Sequence, residues 1–190
     1  MKNKKGLIIA LVVIAVIAIF AGSIVSSYNN LVDERETVTN AQANIQAMLQ
    51  RRADLIPNLV NTVKGYAAHE EEVYTAIADA RSKLSGATTV DEMEKANSEL
   101  DSAISRLLVV VENYPELKAD TQFINLQDEL AGSENRISVA RKDYNDVAKA
   151  YNTHIKKFPA NIIASMFNFE QAEYFEASSE AQTAPSVNFD

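Results

Sequence analysis

By type, His69 and His154 are the side chains best suited to acid-base or metal chemistry, and neither has the neighbours that such chemistry needs. His69-Glu70 lacks the second histidine, four residues after the first, that would set two imidazoles on one helical face around zinc. Glu70-Glu71-Glu72 is a run of like charge and reads as a solvated face rather than a calcium or acid-base site. With no cysteine in the chain, a thiolate nucleophile, a thiolate metal site and a lipid-modified cysteine anchor are excluded. Gly6, Gly22, Gly65, Gly86 and Gly132 form no phosphate-cradling pattern, and no Gly-x-Ser-x-Gly elbow occurs. The residues therefore name no catalytic, cofactor-binding or metal-binding set. The expectation is a non-enzymatic protein without a cofactor.

Charged residues set among apolar ones are more informative. Arg52 interrupts an apolar stripe, with Arg51 before it and Asp54 and Pro57 after it, while Glu134, Asn135, Arg136 and Arg141 cluster near Ser133. Half-buried ions need partners, so these residues read as inter-helix salt bridges that set register. The competing reading makes Arg51, Arg52, Asp54 and Pro57 an exposed docking patch beside a bend, because proline removes a helix hydrogen bond. Tyr144-Asn145 and Tyr151-Asn152 repeat at one heptad and read as stacked aromatics with flanking asparagines on a helix seam.

The elements that would position these residues are helices. One stripe runs from Leu31 through Val38, Ile45, Arg52, Leu59 and Tyr66 to His69 and Ala80 in alternating steps of three and four, and another runs in the same way from Phe123 to His154 and Phe158. Helices patterned like this bury a narrow seam against partner helices. A shorter helix is expected over Asp91 to Glu112. It follows a break at Ser85–Thr89, and Thr89 with Glu92 forms a capping-box signature. The next break is Asn113-Tyr114-Pro115, and Pro159 ends the third helix at Phe158. The apolar residues Ile162, Ile163, Met166, Phe167, Phe169, Tyr174 and Phe175 predict a short fourth helix within 160–177.

Ahead of these helices, Gly6 to Val32 holds no charged residue, and Leu7 to Val25 is almost wholly aliphatic. A membrane-crossing helix needs about 20 such residues, which assigns 6–26 as a single transmembrane helix behind a basic segment, 1–5. A cleaved signal peptide is the alternative, but the apolar run is too long and Ala18-Ile19-Phe20-Ala21 is not the small-x-small cleavage pattern. Lys2, Lys4 and Lys5 precede the span, whereas Asp33, Glu34, Arg35 and Glu36 follow it, so the N-terminus belongs in the cytoplasm and the helical domain outside. Ala18, Gly22 and Ser26 recur every four residues, a spacing that lets membrane helices approach closely.

The resulting expectation is an all-α protein. An N-terminal transmembrane helix leads into an elongated up-and-down three-helix, coiled-coil-like bundle over 27–177, with a short fourth helix and a flexible tail, 178–190. Without the three N-terminal lysines, 15 basic side chains face 26 acidic ones, a net charge of −11 that repels phosphates. Nucleic acid is excluded as a partner on that ground.

Several stretches then resemble a known family. Tyr28-Asn29-Asn30-Leu31-Val32, Leu49-Gln50-Arg51-Arg52-Ala53-Asp54-Leu55-Ile56-Pro57 and Val63-Lys64-Gly65-Tyr66-Ala67-Ala68-His69-Glu70 are similar to the LemA family of bacterial membrane proteins. So are Glu112-Asn113-Tyr114-Pro115-Glu116-Leu117-Lys118, Leu126-Gln127-Asp128-Glu129-Leu130, Glu134-Asn135-Arg136-Ile137 and the closing Pro185-Ser186-Val187-Asn188-Phe189. The order is the family's, and the likeness covers Tyr28 to Phe189. The chain departs from the family pattern at Ala41-Gln42-Ala43, where a tryptophan is common, and at Asn168-Phe169, where Gly-Phe is usual. The resemblance implies a single-pass protein with a long helical bundle and no assigned activity, in the bacterial inner membrane. It makes a membrane-protein partner plausible without naming one.

Two functions are expected from these readings. The first is a membrane-anchored scaffold that self-associates at the cell envelope as a homo-oligomer. The second is an adaptor that docks a membrane protease or another envelope partner through Arg51, Arg52, Asp54 and Pro57.

Overall fold

The computed structural model describes residues 2–176, and no strand occurs among the described residues. The tail at 178–190 lies outside them. In chain order the helices are α1 (Lys2–Lys64), α2 (Glu71–Gly86), α3 (Val90–Val111), α4 (Pro115–Lys118), α5 (Thr121–His154) and α6 (Ala160–Met166). By their internal contacts the residues divide into two units, Met1–Asn40 with Asp146–Ala172 and Ala41–Asn145 with Glu173–Asp190.

In the second unit the chain reverses where the first stripe was expected to continue as one helix to Ala80. After Lys64, Tyr66 and Ala67 both donate their amides to the carbonyl of Val63, and the Tyr74 hydroxyl at the start of α2 donates to the carbonyl of Ala67 at 2.5 Å. Gly65, a poor helix former, occupies the first position of this turn. From there α2 runs back along α1. Arg81 bonds the carbonyl of Ala53, and Gln46 and Gln42 reach the carbonyls of Ala87 and Thr88 at its far end. α3 returns beside them, with Lys83 of α2 paired to Glu99 at 2.6 Å. The unit is thus an up-down-up-down arrangement of four helices, not three. The three-four periodicity is indifferent to this reversal, because the loop at 65–70 lets the apolar spacing resume almost in phase.

The buried face of α1 in this unit also departs from the strict seam. Ile45, Leu49, Ile56, Leu59 and Val63 are buried, while Met48, Leu55 and Thr62 are only half-buried. An α-helix has 3.6 residues per turn, so its core face drifts by about 20° per heptad against a 3.5-residue repeat. On α5 the expected seam holds better, with Phe123, Leu130, Ser133, Ile137, Ala140 and Tyr144 buried.

Helix starts follow local chemistry. Thr89 accepts the amide of Glu92 at 3.2 Å, and Glu92 accepts that of Thr89 at 3.1 Å, which is the expected capping box. Bonds from the Thr88 and Thr89 amides hold the Glu92 carboxyl below the usual range. The third helix was expected to start at Pro115. Instead Pro115 opens the single turn α4, and α5 starts afresh at Thr121, where Asp120 accepts the amides of Gln122 and Phe123 at 2.8 and 3.0 Å. The same carboxylate accepts the Tyr66 hydroxyl at 2.9 Å. The amide of Phe123 and that hydroxyl hold Asp120 below the ordinary carboxylate range, while the tyrosine is raised.

In the first unit α1 carries the apolar stretch of the expected span. Among the described residues, one helix is long and apolar enough to cross a membrane, and none of its most apolar window is buried. Ser23 donates its hydroxyl to the carbonyl of Ile19 at 2.9 Å, so this polar group is satisfied within the helix. α5 ends at His154 rather than Phe158, and α6 ends at Met166, not near 177. Asn168 adopts φ 55°, and the amide of Phe169 bonds the carbonyl of Ala164 at 2.9 Å. That left-handed step closes the helix in a Schellman-type cap, where glycine or asparagine is favoured. Beyond it the chain has no regular secondary structure to 176.

Candidate functional site: a buried arginine and a tyrosine–asparagine clamp

Arg52 is turned into the second unit and is only 4% exposed. Its Nη1 donates to Asn97 Oδ1 at 2.7 Å and to Glu134 Oε2 at 2.5 Å, and its Nη2 donates to Asp101. Asn97 in turn donates to Asp101 Oδ2 at 3.0 Å. One guanidinium therefore ties α1 to α3 and α5 at a single level, and its planar fork matches carboxylates in a way an ammonium would not. Arg52 Nε is buried without a hydrogen-bond partner among the described residues. Beside the cluster is an open groove of about 300 Å³, walled by Leu59, Ile104, Leu108 and Leu130.

The other residues singled out from the sequence do not join this cluster as one patch. Arg51 is exposed and lies 3.7 Å from Glu129, which also lies 4.0 Å from the exposed Arg136. Asp54 is exposed and accepts Gln50 at 2.9 Å, and Asn135 is exposed. Arg141 is half-buried over the Phe175 ring at 5.5 Å, with Nε and Nη2 unpartnered among the described residues. α1 does not break at Pro57 but continues through it to Lys64. A proline at 57 has no N–H for the carbonyl of residue 53. Arg81 Nε of α2 takes that place, donating to the Ala53 carbonyl at 2.9 Å. Pro57 thus opens an acceptor on α1, and a side chain of α2 fills it.

The Tyr-Asn repeats, expected to stack along a seam, hold the irregular chain after α6. In the first unit the Tyr151 hydroxyl donates to the carbonyl of Glu170 at 2.9 Å, and the Asn152 amide group bonds both the carbonyl and the amide of Ala172 at 2.8 Å. In the second unit Tyr144 reaches the carbonyl of Glu173 at 2.9 Å, and Asn145 bonds the carbonyl and amide of Phe175 at 2.8 and 3.0 Å. Burial raises both phenols above their ordinary value. The carboxamide offers one donor and one acceptor at a spacing that copies a strand partner, which explains why asparagine follows each tyrosine.

Of the two histidines expected on seams, His154 is half-buried and partnered across helices, whereas His69 is not. His69 is exposed in the turn between α1 and α2, and His154 Nδ1 lies 2.9 Å from both carboxylate oxygens of Glu34. Among the described residues no group of three or more His, Asp or Glu side chains could hold a metal ion. Ala18, Gly22 and Ser26 are all exposed, and a Cβ added at Gly22 would meet nothing within 4 Å.

The sequence carried signals for what was missed. Asn97 sits in the apolar face formed by Met93, Leu100, Ala103 and Leu107, so a buried polar partner for Arg52 was legible there. Nothing local marked Arg81 as the residue that would fill the gap left by Pro57.

The sequence is similar to those of known proteins. The magnetosome protein MamQ 2 of Paramagnetospirillum magneticum is 28% identical over 207 residues, which covers 94% of this chain and 76% of that protein. The magnetosome protein MamQ of Magnetospirillum gryphiswaldense is 25% identical over 203 residues, with 93% and 74% covered. Protein LemA of Metamycoplasma hominis is 30% identical over 167 residues, with 87% and 76% covered. The family model described as LemA family matches residues 41–189, a range that takes in the Arg52 cluster, the Pro57 acceptor, the Asp120 cap and both Tyr-Asn pairs. The chain belongs to the LemA family.

Proposed function

We propose that this protein is a non-enzymatic, membrane-anchored helical scaffold of the bacterial cell envelope that self-associates, held in the inner membrane by 6–26 with its helical domain outside the cytoplasm. The observation that carries this reading is the apolar length of α1 from Leu7 to Val25, whose described residues are all exposed, in a chain whose remaining helices bury an ordinary core. Such a surface is unstable in water at roughly 25 cal/mol per Å² and stable in a bilayer. The open face at Ala18, Gly22 and Ser26 gives a second α1 room to approach.

The adaptor reading asked for an exposed arginine pair. Arg52 is turned inward, which leaves Arg51 and Asp54 as the accessible remainder of that patch. The scaffold is accordingly preferred. Light scattering of the full chain in mild detergent, with the detergent contribution subtracted, tests it. A defined multiple of 20.9 kDa is the expected result. A monomer at high concentration overturns self-association and returns weight to an adaptor.

A further inference from the structure

Within the first unit, Tyr28 lies two residues beyond the end of the proposed span at Ser26. Its ring meets Phe167 at 4.8 Å and Phe169 at 5.7 Å between centroids. At about 1.5 Å per residue, that contact holds the α6 region at the level where α1 leaves the bilayer. α6 buries Ala160, Ile163 and Ala164 and turns its other face outward, with Ile162 51% and Met166 65% exposed. Phe158 just before it is 80% exposed, and Phe167 just after it is 49% exposed. Elsewhere in the helical part, exposed large apolar side chains such as Val109, Ile124 and Val139 occur singly. Lys156 and Lys157 directly precede this apolar group and are exposed, without an acidic partner among the described residues.

We propose that Phe158, Ile162, Met166 and Phe167 enter the interfacial layer of the bilayer that α1 spans, with Lys156 and Lys157 on anionic headgroups. The occupant follows from position and chemistry. Exposed apolar side chains grouped over 158–167 mark an interaction surface, Phe167 meets Tyr28 just past the span with the rings tilted at 60°, and aromatic and aliphatic side chains flanked by lysine are what an anionic lipid interface accepts. Insertion would give the chain a second point of attachment, about 130 residues after the first in sequence and adjacent to it in space, and so restrict rotation of α1 about its axis.

The inference rests on the proposed span, and the test separates the two. The chain has no cysteine, so single nitroxide labels can be placed on full-length Ile162→Cys, Met166→Cys, Ile17→Cys and Glu36→Cys in phosphatidylcholine vesicles with and without phosphatidylglycerol. Labels at 162 and 166 are expected to give an oxygen-to-nickel accessibility ratio several-fold above that at 36 and below that at 17, the order that an interfacial depth requires. Lys156→Glu with Lys157→Glu is expected to lower that ratio in anionic vesicles and leave it unchanged in pure phosphatidylcholine. Nickel accessibility at 162 and 166 equal to that at 36, with 17 still protected, overturns the interfacial patch alone. Protection at 162 and 166 from both reagents means that protein covers the patch, which also overturns it. Nickel access at 17 overturns the span and the inference together.

Discussion

Arg52 shows what a single buried charge does here. Truncation in Arg52→Ala would leave Asn97 buried without its donor and two carboxylates facing each other across the gap. Breaking such a buried pair costs about 3–5 kcal/mol, and the lower end, about 3 kcal/mol, is expected because the Asp101 and Glu134 side chains are 44% and 38% exposed and can rehydrate. Arg51→Ala, at an exposed pair, should cost under about 0.5 kcal/mol. Thermal unfolding followed by far-UV circular dichroism checks the contrast, and equal effects would refute the assignment of roles. Acid sensitivity is also argued at this scale. Glu92 and Asp120 are both held below the ordinary carboxylate range by bonds to helix-start amides. Their contribution is complete above the unfolded-state value and disappears as pH falls through the folded-state value. Stability is expected to fall on acidification below about pH 5, with a shallower slope in Glu92→Gln and Asp120→Asn. Unfolding midpoints across that range, with unchanged slopes in both variants, would contradict it.

At the scale of elements, Pro57 and Arg81 form a unit shared by two helices. Pro57→Ala supplies the missing N–H to the Ala53 carbonyl and is expected to stabilise α1, since proline inside a helix costs about 3 kcal/mol. Arg81→Met should destabilise the parent but cost less in the Pro57→Ala background, with a coupling of about 1 kcal/mol in a double-mutant cycle. Strict additivity would mean that Arg81 is not filling the acceptor. The clamp on the segment after α6 is a second link of this kind. Asn152→Ala removes two bonds to Ala172 and leaves backbone groups unpaired, at about 1–3 kcal/mol. Hydrogen exchange should quicken at 170–172 while total helicity is kept. Unchanged protection there would show that Tyr151 alone suffices. Asn168, which stands where the resemblance leads one to expect glycine, is explained at the same scale, because its left-handed conformation closes α6 and is the one such position asparagine tolerates well.

For the whole molecule, the orientation proposed in the membrane rests on Lys2, Lys4 and Lys5. In intact cells a membrane-impermeant maleimide is expected to label Ser105→Cys and to spare Asn3→Cys, and the reverse pattern would put the helical domain in the cytoplasm. The apolar span, the all-helical class, the Thr89 capping box and the seam of α5 were all legible in the residues themselves. Each depends on groups a few positions apart, whose preferences the chain expresses without knowing its neighbours. The chain reversal at 65–70, the partners of Arg52 and the use of both Tyr-Asn pairs as a clamp were decided only in the tertiary structure. Asn97 and Glu134 lie 45 and 82 residues from Arg52, and Ala172 lies 20 from Asn152. At such separations periodicity states that a polar group must be satisfied, and only the packing of helices chooses which partner satisfies it.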